Sequence, residues 1–144
     1  MSPEETARRA AETLWAEDRA SRELGMEIVS VGPGAATLAM TVREAMTNGH
    51  GTAHGGFIFA LADSAFAFAC NAGGETTVAA QCAITYLRPG RAGDRLVATA
   101  REVAVSGRSG IYDVRITREA AGGEEVVAEF RGHSRRVGGS FIGA

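Results

Sequence analysis

A glycine-rich segment with two histidines directly precedes the most apolar stretch of the chain. Residues 48–56 read NGHGTAHGG, and four glycines in nine residues let the backbone approach a ligand closely. A helix that begins at about Gly56 would direct unpaired N–H groups and the positive end of its dipole towards this loop. Such a terminus can polarise a carbonyl oxygen. The segment therefore predicts either an oxyanion hole or a tight strand-to-helix turn.

One carboxylate interrupts the apolar stretch that follows. From Phe57 to Asn71 the only polar residues are Asp63, Ser64 and Asn71. An ionisable group in the middle of an apolar helix is costly to bury without a partner, and burial makes a carboxylate a better base. The pattern favours a catalytic Asp63 over a structural one. Ser64 is interpreted as a packing residue and Asn71 as the C-terminal cap of the helix.

The spacing of the loop and the carboxylate predicts a contribution from a second subunit. Asp63 lies seven residues beyond Gly56, which is two helical turns or about 10 Å along the axis. A carbonyl polarised at the N-terminus of this helix is too far from the Asp63 of the same helix. If both groups act on one substrate, Asp63 must come from a second subunit packed antiparallel, with two such sites in a dimer.

The elements around these residues are predicted from apolar periodicity. Residues 2–5 (SPEE) predict a helix start with Ser2 as N-cap, and an apolar helical stripe continues to Trp15. A second helical turn is expected from Asp18 to Leu24. Alternation of apolar and polar residues predicts strands near 36–42, 77–86, 94–106, 112–117 and 126–131. Short turns at 106–110 and 122–123 indicate that the sheet is antiparallel.

Composition limits the class of protein. A chain of 144 residues allows one domain, and a net charge of −2 gives no basic surplus for binding nucleic acid. All 15 basic residues are arginine, which excludes lysine Schiff-base chemistry and a phosphate-loop lysine. No apolar run reaches the roughly 18 residues that predict a membrane span. Two cysteines and an acidic N-terminus without a secretory segment favour a cytoplasmic protein.

An α+β fold accounts for these elements. A helix that is apolar on nearly all sides must be buried on nearly all sides, as a long curved antiparallel sheet wrapped around it would achieve. We expect an N-terminal helical segment at residues 1–25, the main domain at 26–137 and a flexible tail at 138–144. Apolar surface left on the helix favours a dimer.

The motifs at 48–56, 61–63 and 66–71 resemble those of the hotdog-fold acyl-CoA thioesterases of the phenylacetic acid degradation (PaaI) family. The likeness continues through residues 86–89 (YLRP), 93–94, 110–114 and 130–132 (FRG), and covers about residues 20–137. It implies a long central helix wrapped by a five- to six-stranded antiparallel sheet, in dimers that pair into tetramers. It also implies hydrolysis of a phenylacetyl or hydroxyphenylacetyl CoA thioester to free acid and CoA in phenylacetate catabolism. Water is then the co-substrate, and no metal or redox cofactor is needed.

The resemblance also implies a role for each matching residue. Asp63 corresponds to the family's carboxylate, which acts as nucleophile or as general base on water. Gly56, with Gly55, corresponds to the backbone donors that polarise the thioester carbonyl. His54 corresponds to the loop histidine that holds the acyl group and the carbonyl. Asn48 corresponds to the polar residue that orients the water or the thioester.

Contacts to the rest of the substrate are less well defined by the sequence. Related thioesterases often place a hydroxyl on the strand after the helix, where this chain has Ala79 and Ala80; Thr77 is the nearby hydroxyl. Guanidinium groups bind phosphates through paired donors, so Arg88 and Arg108 are candidates for binding CoA. Solvated surface arginines at strand ends are the alternative interpretation.

Three other functions compete with thioester hydrolysis. His50 and His54 could suggest a metal, but Gly51 between them argues against a helix that would align the two rings. A hotdog dehydratase or hydratase would act on an enoyl or hydroxyacyl thioester through a His–carboxylate pair such as His54 and Asp63. A non-catalytic acyl-CoA sensor would need an effector module, for which the residues before Met26 are too few and too acidic. A plain acyl-CoA binding protein needs no such module and stays an alternative.

Overall fold

The computed structural model of the chain describes residues 1–143. Its helices are α1 (Pro3–Glu17), α2 (Arg19–Glu23) and α3 (Gly55–Cys70), with a 3₁₀ turn at Glu44–Met46. Its strands are β1 (Glu27–Gly32), β2 (Ala35–Thr41), β3 (Glu75–Tyr86), β4 (Arg95–Ser106), β5 (Ser109–Ala120) and β6 (Gly123–Ser140). None of the helices within residues 1–143 combines the length and the hydropathy that crossing a lipid bilayer requires.

The first helix begins at the N-cap that the sequence predicts, and Asp18, the predicted start of the second, is its N-cap. The Ser2 side chain accepts a hydrogen bond from the backbone N–H of Glu5 at 3.1 Å, and Asp18 accepts one from Ser21 at 2.9 Å. The Ser21 hydroxyl also bonds that of Ser64 on α3 at 2.7 Å. α1 packs on β1 and α3 and buries three small side chains, Ala7, Ala10 and Ala11. Both helices are therefore part of the core of the domain.

All six strands form one antiparallel sheet in the order β1-β2-β4-β5-β6-β3. β4, β5 and β6 are successive hairpins, and Gly107 has a φ of +59° in the β4–β5 turn. β3 follows α3 in the chain but lies at the far edge of the sheet, where it pairs with β6 alone. The predicted α+β fold with an antiparallel sheet is confirmed.

α3 lies against the concave face of the sheet, as its apolar composition predicts. The Phe66 ring of α3 packs against Tyr112 of β5 and Phe130 of β6, with centroids 5.7 and 5.8 Å apart. Gly132 of β6 lies directly beneath this ring, and a Cβ at that position would be 2.7 Å from it. Only glycine leaves room for Phe66, which explains why the strand has no side chain at this point.

Asn71 ends α3 and fixes the start of β3. Its side-chain amide donates to the carbonyl oxygens of Ala67 at 2.9 Å and Thr77 at 3.0 Å, and its Oδ1 accepts from the Thr77 N–H at 2.9 Å. Asn71 is the C-cap of the helix, so the predicted role is confirmed. The same side chain also sets where β3 leaves the helix.

Strand pairing extends into the segment at 138–144 that the sequence predicts as a flexible tail. β6 continues to Ser140, which pairs with Glu75 at the start of β3. Beyond the strand, the Arg9 side chain of α1 donates to the carbonyl oxygen of Ile142 at 3.2 Å. Neither the pairing with β3 nor the contact with α1 can be inferred from the glycine-rich composition, and the flexibility of the segment stays a prediction. Ala144 lies outside the described residues.

We expect Gly132→Ala to lower the free energy of unfolding by about 1–3 kcal/mol, because the added methyl group overpacks the Phe66 ring. Urea denaturation followed by circular dichroism measures the change. Gly122→Ala is the control, since a Cβ there has no neighbour within 4 Å. Its free energy of unfolding should stay within about 0.5 kcal/mol of the wild-type value. Equal stability of the two variants would contradict the packing described for Phe66.

Candidate active site

His54 caps the N-terminus of α3 and accepts hydrogen bonds from some of the first N–H groups of the helix. Its Nδ1 accepts the N–H of Gly56 at 2.9 Å, and its carbonyl oxygen accepts the N–H of Phe57 at 3.0 Å. Within residues 1–143 the N–H of Gly55 has no hydrogen-bond partner. Of the two predicted donors, Gly56 has its N–H bonded to His54 and Gly55 has the free one; which of them polarises a carbonyl stays a prediction.

The same hydrogen bond determines which ring nitrogen of His54 carries the proton when the ring is neutral. Because Nδ1 acts as the acceptor, the proton of the neutral ring is assigned to Nε2. The ring also packs edge-on against Phe57, with centroids 6.0 Å apart. His54 therefore offers an N–H donor at Nε2, beside the free N–H of Gly55, and no free lone pair at Nδ1.

Asn48 organises the loop that precedes the helix. Its Oδ1 accepts the backbone N–H groups of His50 at 2.9 Å and Thr52 at 3.2 Å, and its Nδ2 donates to the Thr52 hydroxyl at 3.1 Å. These bonds close a tight turn and leave His50 exposed on its outside. The structure thus gives Asn48 a positioning role in the loop, and its predicted contact with water or thioester stays a prediction.

The loop is fastened to the end of β3 and the corner that follows it. The N–H of Ala53 donates to the carbonyl oxygen of Gly90 at 2.7 Å. The Tyr86 hydroxyl donates to the carbonyl oxygen of Gly55 at 2.8 Å, and a Cβ on residue 55 would lie 3.0 Å from the Tyr86 ring. Tyr86 was not predicted as a site residue. It belongs to the YLRP motif at 86–89, but its contact with Gly55 could not be inferred from that motif because 31 residues separate the two.

A cleft of about 380 Å³ opens beside the free N–H of Gly55. We call it the Gly55 cleft, and it is lined by Thr52, Ala53, Gly55, Ile58, Tyr86, Leu87, Arg88 and Pro89. The Arg88 guanidinium donates to the carbonyl oxygen of Val126 at 2.9 Å and remains half exposed to solvent. Its Nε also lies 4.0 Å from Glu125 Oε1, so the arginine at the rim of the cleft is held between a carbonyl oxygen and a carboxylate and would have to share its donors with a phosphate.

Asp63 lies on the side of α3 that the sheet leaves uncovered. Gly56, Ala60, Asp63, Ala67 and Cys70 form a stripe along this side, which we call the α3 stripe; each is at least partly exposed. Within residues 1–143 the Asp63 carboxylate has neither a hydrogen bond nor an ion pair. Desolvation by burial raises its pKa above the ordinary aspartate value. An unpaired carboxylate of raised pKa is suited to act as a base.

The other predicted residues lie at the opposite end of β3. Thr77 is buried and donates its hydroxyl to the carbonyl oxygen of Glu75 at 2.9 Å. Thr77 pairs with Arg136, whose N–H bonds the carbonyl oxygen of Arg108 at 2.8 Å. About 30 Å of strand separates this end of β3 from Tyr86. One protomer therefore keeps Thr77 and Arg108 apart from the Gly55 cleft.

Comparison with known proteins agrees with this geometry. The family model described as Thioesterase superfamily matches residues 50–125. The chain is 44% identical over 133 residues to acyl-coenzyme A thioesterase PaaI of Escherichia coli strain K12, covering 92% of this chain and 93% of that protein. It is 33% identical over 120 residues to acyl-coenzyme A thioesterase 13 of Homo sapiens, covering 81% and 84%.

Solved structures give the same result. The E. coli PaaI protein from the phenylacetic acid degradation operon superposes with a TM-score of 0.92 at 42% identity, covering 96% of this chain and 99% of that chain. A Streptococcus mutans protein bound to acetyl-CoA superposes with a TM-score of 0.74 at 28% identity, covering 80% and 90%.

A six-stranded antiparallel sheet around one long helix, with this family match, defines a hotdog-fold thioesterase, and the chain belongs to the Thioesterase superfamily. Within that superfamily it is a member of the PaaI family of acyl-CoA thioesterases. The resemblance seen in the motifs at 48–56 and 61–71 is confirmed.

We expect Asp63→Asn to raise the melting temperature at pH 7. The folded state disfavours the charged carboxylate because burial raises its pKa. This destabilisation is fully present above the raised pKa and vanishes below the pKa of an unfolded aspartate, about 4. The stability gained by the amide should therefore shrink as the pH falls from 7 to 3. Thermal denaturation of both proteins across that range measures the difference.

Asp113→Asn is the matched control, and we expect it to change the melting temperature in the opposite direction. Arg131 donates two hydrogen bonds to Asp113, at 2.7 and 2.9 Å, and these bonds lower the pKa of that carboxyl. Its replacement should lower the melting temperature at pH 7, and this loss should also fade as the pH falls. A melting temperature of Asp63→Asn below that of the wild type at pH 7 would contradict the unpaired state of Asp63.

Proposed function

We propose that the protein hydrolyses aryl-acetyl-CoA thioesters, such as phenylacetyl- or hydroxyphenylacetyl-CoA, to the free acid and CoA. Water is the co-substrate, and no metal or redox cofactor takes part. The observation that carries the proposal is the free N–H of Gly55 at the start of a long helix, beside a cleft with an arginine at its rim. Two relatives support the substrate class: one comes from a phenylacetic acid degradation operon and another binds acetyl-CoA.

The thioester carbonyl is bound at the N-terminus of α3. Its oxygen accepts the Gly55 N–H, and the positive end of the helix dipole stabilises the negative charge that forms on this oxygen during attack. The Nε2–H of His54 is a second donor on the same side. Arg88 binds a phosphate of the CoA group at the point where the CoA chain extends out of the cleft.

Asp63 drives the attack on the carbonyl carbon. As general base it takes a proton from water, the resulting hydroxide adds to the carbon, and the C–S bond breaks as CoA leaves with a proton. As nucleophile its carboxylate oxygen adds directly, CoA leaves, and water then hydrolyses the mixed anhydride. Burial favours either role, because a desolvated carboxylate without a partner is both more basic and more reactive.

In our proposal the Gly55 N–H donor and the Asp63 carboxylate of one active site come from different subunits. β3 is an edge strand, and no charged residue occurs between residues 76 and 86 to protect it. A second copy that pairs antiparallel along β3 continues the sheet and brings the Tyr86 end of one protomer to the Thr77 end of the other. The α3 stripes then face each other, and each Asp63 approaches the partner's cleft. We infer such a homodimer, with dimers pairing into tetramers as expected from the family.

The competing functions have less support in the geometry. A dehydratase or hydratase needs His54 as a base, but its Nδ1 is occupied by the Gly56 N–H. A sensor needs an effector module, but α1 and α2 pack into the core of the domain.

We also propose a cytoplasmic location, which the free state of Cys70 and Cys82 fits.

We expect Asp63→Asn to lower kcat/KM for aryl-acetyl-CoA by about 10²- to 10⁴-fold, the usual contribution of a positioned base. Free-thiol release from a panel of acyl-CoAs measures the rate. Wild-type kcat/KM should rise with pH through a midpoint above the ordinary aspartate pKa, because burial raises the pKa of Asp63. Asp113→Asn makes the same chemical change on the outer face of the sheet and should retain the wild-type rate.

Two outcomes would contradict this mechanism in different ways. Unchanged turnover by Asp63→Asn would exclude Asp63 as the driving group. If the wild type hydrolyses no thioester yet binds acyl-CoA tightly, the protein is a sensor or binding protein.

Mixed dimers should regain activity that neither parent variant has. Gly55→Pro removes the N–H donor at the first helical position, and Asp63→Asn removes the base. Because a Cβ on residue 55 lies 3.0 Å from the Tyr86 ring, circular dichroism first establishes that Gly55→Pro is folded. After co-refolding in equal amounts, random pairing puts half of the subunits in mixed dimers, each with one intact site of two. We expect roughly a quarter of the wild-type rate. Continued inactivity of the mixture would show that each site lies within one subunit.

A further inference from the structure

A second cavity, of about 440 Å³, lies at the C-terminal end of α3. We call it the Cys70 cavity. Its walls include Cys70 of α3, Thr77 of β3, Glu102 of β4 and Tyr112 of β5, and it is bounded by α1 and the β1–β2 turn. Its volume is in the usual range for small-molecule pockets. Nothing in the carbonyl or CoA contacts described above uses this space.

Asp63 and the Cys70 cavity lie along one line of α3. Cys70 is on the α3 stripe seven residues beyond Asp63, which is two turns or about 10 Å. Burial raises the pKa of the Cys70 thiol to about 12, and the charge of Asp63 acts on it in the same direction. The pKa of Cys82 on β3 is raised by burial and by Asp63 as well. The charge of Asp63 thus acts on both thiols, and Cys70 lines the cavity.

The length of an aryl-acetyl group matches this separation. With C–C bonds of about 1.5 Å, such a group extends roughly 7 Å from its carbonyl carbon to a substituent on the far side of the ring. An attacking oxygen lies about 3 Å from the carbonyl carbon. An acyl group that runs from Asp63 along the α3 stripe therefore brings the far side of its ring beside Cys70, at the entrance to the cavity.

The cavity contains polar groups that suit a hydrogen-bond donor. Tyr112 is 5% exposed and packs at a tilt against Phe66, while its hydroxyl donates to Glu102 Oε1 at 3.2 Å. This leaves the lone pairs of the Tyr112 hydroxyl and the second oxygen of Glu102 as acceptors. The nearby Arg136 is paired with Glu75 at 3.2 Å. A hydroxyl group can donate to these acceptors, whereas a carboxylate would be repelled by Glu102.

We propose that the Cys70 cavity receives the distal end of the acyl group, and that Tyr112 and Glu102 select acyl groups with a hydroxyl at that end. This inference rests on the proposed thioester hydrolysis and deepens it, because it names the residues that would distinguish hydroxyphenylacetyl from phenylacetyl substrates. Tyr112 and Glu102 are specificity residues in this proposal, and they take no part in attack on the carbonyl.

Binding of two thioethers that cannot be hydrolysed tests the cavity without relying on catalysis. The probes are S-(2-phenylethyl)-CoA and its 4-hydroxyphenyl analogue, and calorimetry gives both dissociation constants. The wild type should bind the hydroxylated probe about five- to tenfold more tightly, the usual effect of one hydrogen bond. Tyr112→Phe retains the ring against Phe66 and should abolish this preference, leaving the affinity for the plain probe unchanged. Glu102→Gln should reduce the preference, because a charged acceptor is the stronger one.

Glu129→Gln is the matched control, since Glu129 pairs with Arg115 on the outer face of the sheet. It should keep the full preference. The proposal is overturned if Tyr112→Phe keeps the preference, or if it weakens both probes equally, as a purely structural role would. Thiol release from the two corresponding thioesters is measured alongside. Absence of hydrolysis by the wild type would refute the proposed function. The ratio of the dissociation constants of the two thioether probes would still decide the role of the cavity.

Discussion

Burial of α3 against the concave face of the sheet is the contact on which the rest of the structure depends. Phe66 lies between the rings of Tyr112 and Phe130, and Gly132 provides the space for it. A curved sheet covers one side of a helix and leaves the other open. The open side of α3 carries small side chains and one carboxylate, so the packing that stabilises the fold also leaves Asp63 uncovered and unpaired.

The N-terminus of the same helix has an equally specific arrangement. His54 accepts the N–H of Gly56, and Tyr86 holds the carbonyl of Gly55 from the end of β3. Both bonds fix the backbone around the Gly55 N–H, which has no partner within residues 1–143, so this donor is already oriented before any substrate binds. A helix has its positive end at its N-terminus and its middle about 10 Å away. One helix cannot therefore supply both donor and base to a single carbonyl, whereas two antiparallel helices can.

Much of this arrangement could be predicted from local sequence, and the exceptions share a cause. Caps such as Ser2 and Asn71, the apolar helix and the alternating strands depend on neighbours within a few residues, and the structure confirms them. The contact of Tyr86 with Gly55 and the pairing of Ser140 with Glu75 join distant segments, which local patterns do not encode. The choice between Gly55 and Gly56 as donor depends on the rotamer of His54, which glycine spacing cannot specify.

The Gly55 cleft and the Cys70 cavity lie at opposite ends of α3, and this separation has a consequence for specificity. In the proposed antiparallel dimer, the cleft of one protomer lies near the Asp63 and the cavity of its partner. The CoA group would then contact one subunit and the distal acyl group the other. Substitutions around Tyr112 could alter which acyl group is accepted without disturbing Arg88 or the Gly55 donor. Recognition of the common CoA group and of the variable acyl group would thus depend on separate parts of the chain. Each active site would combine the CoA-binding part of one subunit with the acyl-binding part of the other.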